Sequence, residues 1–248
     1  MIAGVDEAGR GPVLGPLVVA GVAARSPAHL RKLGARDSKL LSAERRAEVA
    51  AAIRAYATCE VRVMDADELN RRMATRTLNE IEVAMFAGVL RALAPERAIV
   101  DACDVDEHRF GAHIARLLPQ PAPPIVSRHG ADASHAIVGA ASVIAKVERD
   151  ARIARIQAEI GEPIGSGYCH DPVTIEFLRR WRAERGGLPP HTRVYWSTVA
   201  GARPLDRRLG EDEPPGLEGP GGADRRTGAA GGEQGPAPAS RGPRFRGP

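Results

Sequence analysis

The sequence predicts an α/β protein built on a mixed β-sheet flanked by helices. Along the first 200 residues, strand-like apolar runs alternate with segments of helical periodicity, which is the pattern of helices packed on a sheet. The first two strand-like runs, residues 2–5 and 16–22, are separated by a glycine-rich turn and are expected to pair as a hairpin. Because hairpin strands pair antiparallel, the sequence argues against an all-parallel sheet.

Two helices and a third strand are expected next along the chain. Ser42 is placed to cap a helix that ends near residue 58, and residues 60–64 alternate in the manner of a strand. Thr77 and Glu80 have the spacing of a capping box at the start of the following helix. The apolar residues of that helix recur at helical spacing: Leu78, Ile81, Met85, Val89 and Leu93.

Later segments repeat a pattern in which an apolar strand is followed by an acid. Residues 98–100 form a short apolar run that ends on Asp101, and residues 124–127 are strand-like and lead to Asp132. A helix is expected between these strands, over residues 110–118, and a long helix is expected from about Ser134. Each of the two strands is therefore followed by a carboxylate.

The last predicted helix has signals at both ends. Asp171 followed by Pro172 is typical of an N-cap with proline at the first helical position, and Gly186 is placed to end the helix. Phe177 and Trp181 share one face of it. We therefore expect the folded domain to finish in a helical C-terminal part.

Residues 201–248 differ in composition from the rest of the chain. They contain 12 Gly and 8 Pro, and Phe245 is their only aromatic residue. Such a segment buries too little apolar surface to offset the entropy of ordering it, so we expect one domain over residues 1–200 and a disordered tail over residues 201–248. Eight Arg against seven Asp and Glu leave the tail nearly neutral, and it lacks the glutamine and paired aromatics of a sliding-clamp docking motif.

Charge and cysteine content restrict the class of protein. The formal net charge of +4 permits a nucleic-acid partner without requiring one. Cys59, Cys103 and Cys169 are odd in number and form no CxxC pair, so neither a disulfide framework nor a zinc site is indicated. No apolar run reaches membrane-spanning length, and the first strand leaves no room for a signal peptide. We expect a cytoplasmic monomer with no membrane partner.

The junction between the first strand and the glycine-rich turn is the most informative feature. The apolar run leads into Asp6 and Glu7, which are followed closely by Gly9, Arg10 and Gly11. Two adjacent acids at a strand end repel each other, so a bound cation is the natural reason to keep them together. Backbone amides of a glycine-rich loop and a guanidinium are groups that hold a phosphate. The junction therefore predicts a site for a metal and a phosphate.

Five segments in register resemble the ribonuclease HII family, which is type 2 ribonuclease H. They are residues 4–12, residues 37–39, residues 100–106, residues 140–150, and residues 165–168 with Asp171 and Pro172. The last of them, together with residues 192–199, is similar to the archaeal branch of the family. The resemblance covers about residues 1–200 and implies a ribonuclease H-like mixed sheet with a C-terminal helical extension. The chain departs from the family pattern at Leu40, where the family often has a second lysine for a phosphate contact, and at Cys169–His170, which removes no catalytic group.

The resemblance implies four catalytic carboxylates, Asp6, Glu7, Asp101 and Asp132, that also bind two divalent metal ions, Mg²⁺ or Mn²⁺. Two ions about 4 Å apart can activate a water and stabilise the departing 3′-oxygen of a phosphodiester. The implied enzyme is a ribonuclease H endonuclease that cuts 5′ of ribonucleotides in RNA/DNA hybrids and of single ribonucleotides in duplex DNA. It would leave 3′-hydroxyl and 5′-phosphate ends, with roles in ribonucleotide excision and RNA primer removal.

The resemblance also implies a substrate-binding set. Gly9, Arg10 and Gly11 are expected to contact the ribonucleotide through backbone amides and to read its 2′-hydroxyl, the group that distinguishes RNA from DNA. Tyr168 is expected to pack on the adjoining sugar. Contacts with backbone phosphates are expected from three further residues: Lys39, Lys146 and Arg149.

Each assignment has a structural alternative. Adjacent acids are most often part of a solvated loop, and Asp101 fits an ordinary strand end equally well. Taken alone, Asp132 fits a helix cap better than a metal ligand because it precedes Ser134. Lys146 and Arg149 would by default lie on a solvated helix face or form an ion pair with a neighbour of Glu148. Three neighbouring acids are alternative members of the acidic set: Asp104, Asp106 and Asp150.

Two other classes of function remain open. One is an acidic-site phosphohydrolase or DNA nuclease, although DNA cleavage needs no reader of a 2′-hydroxyl. The other is a nucleic-acid-binding protein with an inactive site, which would be expected to lack at least one acid. None of the four acids is missing from this sequence.

Overall fold

A computed structural model of the chain describes residues 1–34 and 41–200. In these residues five strands form one sheet: β1 (Ile2–Ala8), β2 (Leu17–Ala24), β3 (Thr58–Met64), β4 (Arg97–Asp101) and β5 (Ile125–Arg128). The strand order is β3-β2-β1-β4-β5, with antiparallel pairs among β1, β2 and β3 and parallel pairs among β1, β4 and β5. The predicted hairpin and mixed sheet are thereby confirmed. Lys39, Leu40 and the predicted tail lie outside the described residues.

Helices connect and cover the strands. They are α1 (Pro27–Lys32), α2 (Ala43–Tyr56), α3 (Ala66–Met73), α4 (Leu78–Leu93), α5 (Glu107–Arg116), α6 (Ala131–Ser134), α7 (Ala136–Ile160), α8 (Pro172–Arg185) and α9 (Ser197–Ala200). No helix in the described part of the chain is long and apolar enough to cross a membrane.

Local capping groups set the ends of several helices, as the sequence predicts. The Ser42 side chain accepts a hydrogen bond from the Arg45 amide at the start of α2, and the complete capping box of Thr77 and Glu80 opens α4. The left-handed Gly186 ends α8 at a φ of 71°. These signals act within one helical turn, which is why they are readable from the sequence.

The helix α5 begins earlier than the periodicity predicts, at residue 107 rather than 110. The reason is Asp106, whose Oδ1 accepts hydrogen bonds from the amides of His108 at 2.9 Å and Arg109 at 3.0 Å. Asp106 is therefore a helix cap, and its place as an alternative member of the acidic set is wrong.

The sheet is covered on both faces. Helices α4 and α5 pack on one face against residues such as Val5 and Val19, and α7 with α2 packs on the other against Val18 and Ala20. A side chain at Gly4 would place its Cβ 2.6 Å from the amide nitrogen of Val138, so glycine there lets α7 lie directly on β1. This close contact brings α7 to the acidic end of β1.

A third cluster of buried residues forms the predicted C-terminal helical part. It joins the loop after β1 to the end of α7, to α8 and to α9, through residues that include Val13, Leu14, Ile153, Phe177 and Val199. The loop that carries the glycine-arginine motif is thus packed against the C-terminal part of the described chain.

Candidate active site

The sheet topology brings three of the predicted carboxylates together. Strands β1 and β4 are parallel neighbours, and Val5 pairs with Val100, so Asp6 and Asp101 follow at the same level. Asp132 enters from the short helix α6, which follows β5. One carboxylate oxygen from each of Asp6, Asp101 and Asp132 lies within 4.8 Å of the others.

Main-chain hydrogen bonds fix Asp101 to the turn that carries Asp132. The Oδ1 atom of Asp101 accepts from the Gly130 amide at 2.9 Å, and Oδ2 accepts from the Asp132 amide at 3.5 Å. The N-cap of α6 is the left-handed Gly130, and no side chain caps that helix. The alternative interpretation of Asp132 as a helix cap is therefore wrong.

The three-acid cluster is electrostatically costly without a cation. Burial raises the pKa of the Asp6 carboxyl well above its usual range, and the charges of Glu7 and Asp101 raise it further, whereas a hydrogen bond with Ser142 lowers it. Burial also raises the pKa of Asp101, and the charge of Asp132 adds to this rise. Hard carboxylate oxygens at close range are the ligand type that Mg²⁺ and Mn²⁺ take, so the donor set fits a divalent metal.

Glu7 lies outside the three-acid cluster but lines the same cleft. The Asp6 carboxyl forms side-chain hydrogen bonds with Ser142 on α7 and with Glu7, and the charge of Glu7 also acts on Glu82 of α4. The cleft has a volume of about 600 Å³ and is lined by all four predicted carboxylates.

Asp104 and Asp150, the other two alternative acids, are held by arginines. Asp104 is buried and forms an ion pair with Arg109, whose hydrogen bond lowers the pKa of Asp104 to about 2. Asp150 pairs with Arg46 Nη1 at 2.6 Å. Neither acid belongs to the three-acid cluster.

Two basic residues of α7 line the cleft, as expected for contacts with phosphates. Lys146 is half-buried, and its Nζ donates to the Ser142 hydroxyl at 2.7 Å. Arg149 is buried, donates to the carbonyl oxygen of Ser166, and places its guanidinium 4.7 Å from the centre of the Tyr168 ring. The solvated-face alternative is therefore wrong for Arg149, whereas the ion-pair alternative is met by its Nη1, which lies 3.5 Å from Asp150 Oδ1.

Tyr168 borders both the cleft and the glycine-arginine loop. Its ring is half-buried between the Arg149 guanidinium and Gly11, where a Cβ would lie 3.8 Å from the tyrosine Cε1. The ring of His170, one of the two departures from the family pattern, lies 5.2 Å away at a tilt. The tyrosine ring is thus placed beside the loop predicted to read the sugar.

The glycine-arginine loop exposes Gly11, buries Gly9 and turns its arginine toward α4. Gly9 has a φ of 87°, and a Cβ there would lie 2.6 Å from the Pro16 carbonyl oxygen, so only glycine fits. The Arg10 Nε donates to Glu82 at 3.0 Å and its Nη2 donates to Asn79 at 2.6 Å, both on α4. The expectation of a guanidinium directed at a phosphate is therefore not met by Arg10.

Sequence reasoning missed three residues that support the site. Arg46 lines the cleft but resembles every other arginine of α2. Ser142 contacts both Asp6 and Lys146 from within an apolar helix. Glu82 stands four residues after Leu78, on the apolar face of α4, and this unusual position was an available signal. Burial raises the pKa of Glu82 to about 8, while the Arg10 charge opposes that rise.

Comparison with known proteins decides the family. A family model described as Ribonuclease HII matches residues 3–199. The chain belongs to the ribonuclease HII family. It is 45% identical over 201 residues to the ribonuclease HII of Methanocella arvoryzae, covering 79% of this chain and 89% of that relative. It is 44% identical over 203 residues to the ribonuclease HII of Archaeoglobus fulgidus, covering 82% and 97%. These relatives confirm the resemblance to the archaeal branch.

Solved structures of ribonucleases HII share the fold. The enzyme in the PCNA:RNase HII complex from Archaeoglobus fulgidus superimposes with a TM-score of 0.76 at 43% identity, covering 84% of this chain and all of that one. Ribonuclease H2 from Pyrococcus horikoshii OT3 gives a TM-score of 0.75 at 35% identity, covering 85% and 99%. As a member of the ribonuclease HII family, the protein is a ribonuclease H endonuclease, and this family requires divalent metal ions.

Proposed function

We propose that the enzyme hydrolyses the phosphodiester on the 5′ side of a ribonucleotide, both in RNA/DNA hybrids and at single ribonucleotides embedded in duplex DNA. The products carry a 3′-hydroxyl and a 5′-phosphate. The observation that supports this most directly is the position of Tyr168, which lines the same cleft as the four acids and lies against Gly11. A group that can read the sugar thus adjoins the groups that can cut the backbone.

The proposed metal ligands are Asp6, Glu7, Asp101 and Asp132, which would hold two divalent ions, Mg²⁺ or Mn²⁺. When bound, such ions activate a water and neutralise charge on the departing 3′-oxygen. The raised pKa values of Asp6 and Asp101 support this assignment, because burial and the neighbouring acids disfavour the charged carboxylates and a bound cation stabilises them. Glu7 lies outside the three-acid cluster but contacts the Asp6 carboxyl, and it is assigned to the outer part of the same metal site.

The remaining residues of the cleft are assigned to the substrate. The main chain of Gly9, Arg10 and Gly11 reads the 2′-hydroxyl, and Tyr168 packs on the adjoining sugar. Lys146, at the cleft wall, contacts a backbone phosphate. Arg149 contributes positive charge and holds the Tyr168 ring. A phosphate contact by Lys39 stays a prediction, because that residue lies outside the described part of the chain.

This activity suits the removal of RNA primers and the excision of single ribonucleotides from DNA. Residues 1–200 are proposed to form the complete catalytic domain, since the family model and the acidic cleft both lie within them. The monomeric state and the absence of a clamp-docking motif from the tail stay predictions.

The test is a DNA duplex that contains one ribonucleotide, incubated with Mg²⁺ or Mn²⁺. We expect a single nick immediately 5′ of that ribonucleotide, repeated cutting of an RNA/DNA hybrid, and no cutting of the all-DNA duplex. Equal cutting of the all-DNA duplex would instead support a DNA nuclease. Tight binding without any nick would support an inactive nucleic-acid-binding protein.

A further inference from the structure

The segment at residues 191–196 runs along the loop that follows β1. The Arg193 amide donates to the Val13 carbonyl at 2.8 Å, and the Gly15 amide donates to the His191 carbonyl at 3.0 Å. Leu14 and Thr192 form an antiparallel bridge between these two hydrogen bonds. This segment takes part in the family resemblance, yet neither the metal site nor the substrate contacts proposed above give it a role.

Two side chains of this segment bind the carbonyl oxygens of the glycine-arginine loop. Arg193 is fully buried, and it donates from Nε to the Gly15 carbonyl at 2.8 Å and from Nη1 to the Arg10 carbonyl at 3.2 Å. Its guanidinium lies 4.9 Å from the ring centre of Trp196, whose Nε1 donates to the Gly11 carbonyl at 3.1 Å. Three loop carbonyls are therefore held by one C-terminal segment.

The planarity of the peptide bond transmits this restraint to the amides. In a trans peptide the carbonyl of one residue and the amide of the next point in opposite directions within one plane. When Arg193 holds the Arg10 carbonyl, it also fixes the direction of the Gly11 amide. The Gly11 amide has no hydrogen-bond acceptor among the described residues, and Gly11 lies beside Tyr168. That amide is thus oriented and left available to a ligand.

The chemistry of Arg193 argues that it is kept for more than packing. A buried guanidinium is costly to desolvate, and this one directs its hydrogen bonds to carbonyl oxygens rather than to carboxylates. Burial, and secondarily the nearby charge of Arg149, lowers the pKa of Arg193 to about 9. An apolar side chain of similar length would fill the same space without this cost. An apolar side chain would not hold the loop carbonyls and so would not orient the loop main chain.

We propose that Arg193 and Trp196 are positioning residues that orient the Gly11 amide and thereby set the discrimination of a ribonucleotide from a deoxyribonucleotide. This inference rests on the proposed function, in which the loop main chain reads the 2′-hydroxyl. It assigns a role in sugar selection to a segment that is about 180 residues away from the loop in sequence.

The test compares the binding of two DNA duplexes that are identical except for one 2′-hydroxyl, with Ca²⁺ in place of Mg²⁺ so that binding is measured without turnover. The readout is the Kd for the all-DNA duplex divided by the Kd for the duplex that carries the 2′-hydroxyl. This ratio does not depend on the fraction of active protein. Since one hydrogen bond changes binding by about 2- to 10-fold, Arg193→Met is expected to lower the ratio about fivefold or more. Trp196→Phe, which keeps an aromatic ring but replaces the larger indole and removes its Nε1 donor, is expected to lower it about twofold to threefold.

Trp181→Phe is the matched control. Trp181 also has an arginine, Arg185, over its ring at 3.8 Å, but it packs in α8 against Phe177 rather than on the loop. Its ratio is expected to equal that of the wild type. If Arg193→Met does not fold, Trp196→Phe decides the question.

An unchanged Kd ratio in a folded Arg193→Met protein would overturn the positioning role. The same preparations of wild-type enzyme are assayed for nicking with Mg²⁺, which tests the proposed function separately. Nicking by the wild type together with an unchanged ratio in the variant rejects only the positioning role. A wild type that does not nick rejects both.

Discussion

The backbone amide of Asp132 donates a hydrogen bond to the Oδ2 atom of Asp101 at 3.5 Å, so Asp132 helps to position the Asp101 carboxylate. The Gly130 amide holds the other oxygen of Asp101 at 2.9 Å. Asp101 is therefore both a candidate metal ligand and the acceptor that anchors the turn after β5. Substitution of either acid is expected to lower activity, and substitution of Asp101 is expected to change stability as well.

Asp101→Asn and Asp132→Asn are each expected to lower kcat about a hundredfold or more, because a metal ligand contributes several kcal/mol to the transition state. Asp101→Asn also replaces one of the two oxygens that accept the Gly130 and Asp132 amides, so its Tm should change as well. Nicking rates and thermal unfolding measure both effects. Asp106→Asn is the control, since asparagine caps a helix as well as aspartate does. Near-normal activity in Asp132→Asn would remove that residue from the site.

Asp6→Asn is expected to raise the Tm of the metal-free protein at neutral pH. The pKa of Asp6 is raised in the folded state, so its contribution to stability is complete below its ordinary value of 3.8 and is lost as the pH rises through the raised pKa. Asparagine does not titrate and escapes this loss. For a domain of this size, each kcal/mol corresponds to about 2–4 °C.

The stability difference at Asp6 should depend on pH and on metal. It should shrink as the pH falls toward about 4, where the wild-type carboxyl is protonated. It should also shrink when Mg²⁺ or Mn²⁺ is added, because metal binding stabilises the wild type more strongly. Differential scanning fluorimetry in EDTA and in metal measures both trends. A Tm for Asp6→Asn that stays below the wild type in EDTA at neutral pH would contradict the prediction.

Tyr168→Phe should retain activity within about threefold, because the ring that packs between Arg149 and Gly11 is preserved. Tyr168→Ala should lower kcat/KM about tenfold, which corresponds to about 1.4 kcal/mol of lost packing on the sugar. Steady-state nicking of the single-ribonucleotide duplex distinguishes the two variants. If Tyr168→Phe loses as much activity as Asp101→Asn, the hydroxyl itself has a direct role.

Deletion of residues 201–248 should leave activity on short duplexes within about twofold of the full chain. The tail is nearly neutral, with eight Arg against seven acids, so the salt dependence of binding should also be unchanged. Activity and Kd measured at two salt concentrations check both statements. A large loss on deletion would place the tail within the working enzyme.

Local signals in the sequence account for most of the predicted elements. Ser42, Thr77 and Asp171 each cap a helix through a bond to an amide two or three residues away, so they are readable without a fold. The missed helix α3 has the same kind of signal, because Asp65 accepts from the Glu68 amide at 2.7 Å. The missed helix α1 is only six residues long and has no side-chain cap.

The sequence by itself determined the residue chemistry and its local setting: two acids at the end of β1, an acid at the end of β4, a flexible glycine loop, and helices with readable caps. Tertiary structure decided which groups meet. The parallel pairing of β1 with β4 sets Asp6 beside Asp101, while Glu7 lines the cleft next to them without joining the three-acid cluster.

Tertiary structure also decided the direction of Arg10 and the role of Arg193. Arg10 donates to Glu82, which is 72 residues away in sequence, and Arg193 donates to the Arg10 carbonyl, which is 183 residues away in sequence. Neither partner has a local sequence pattern, because such contacts form only when the sheet and the C-terminal helices pack together.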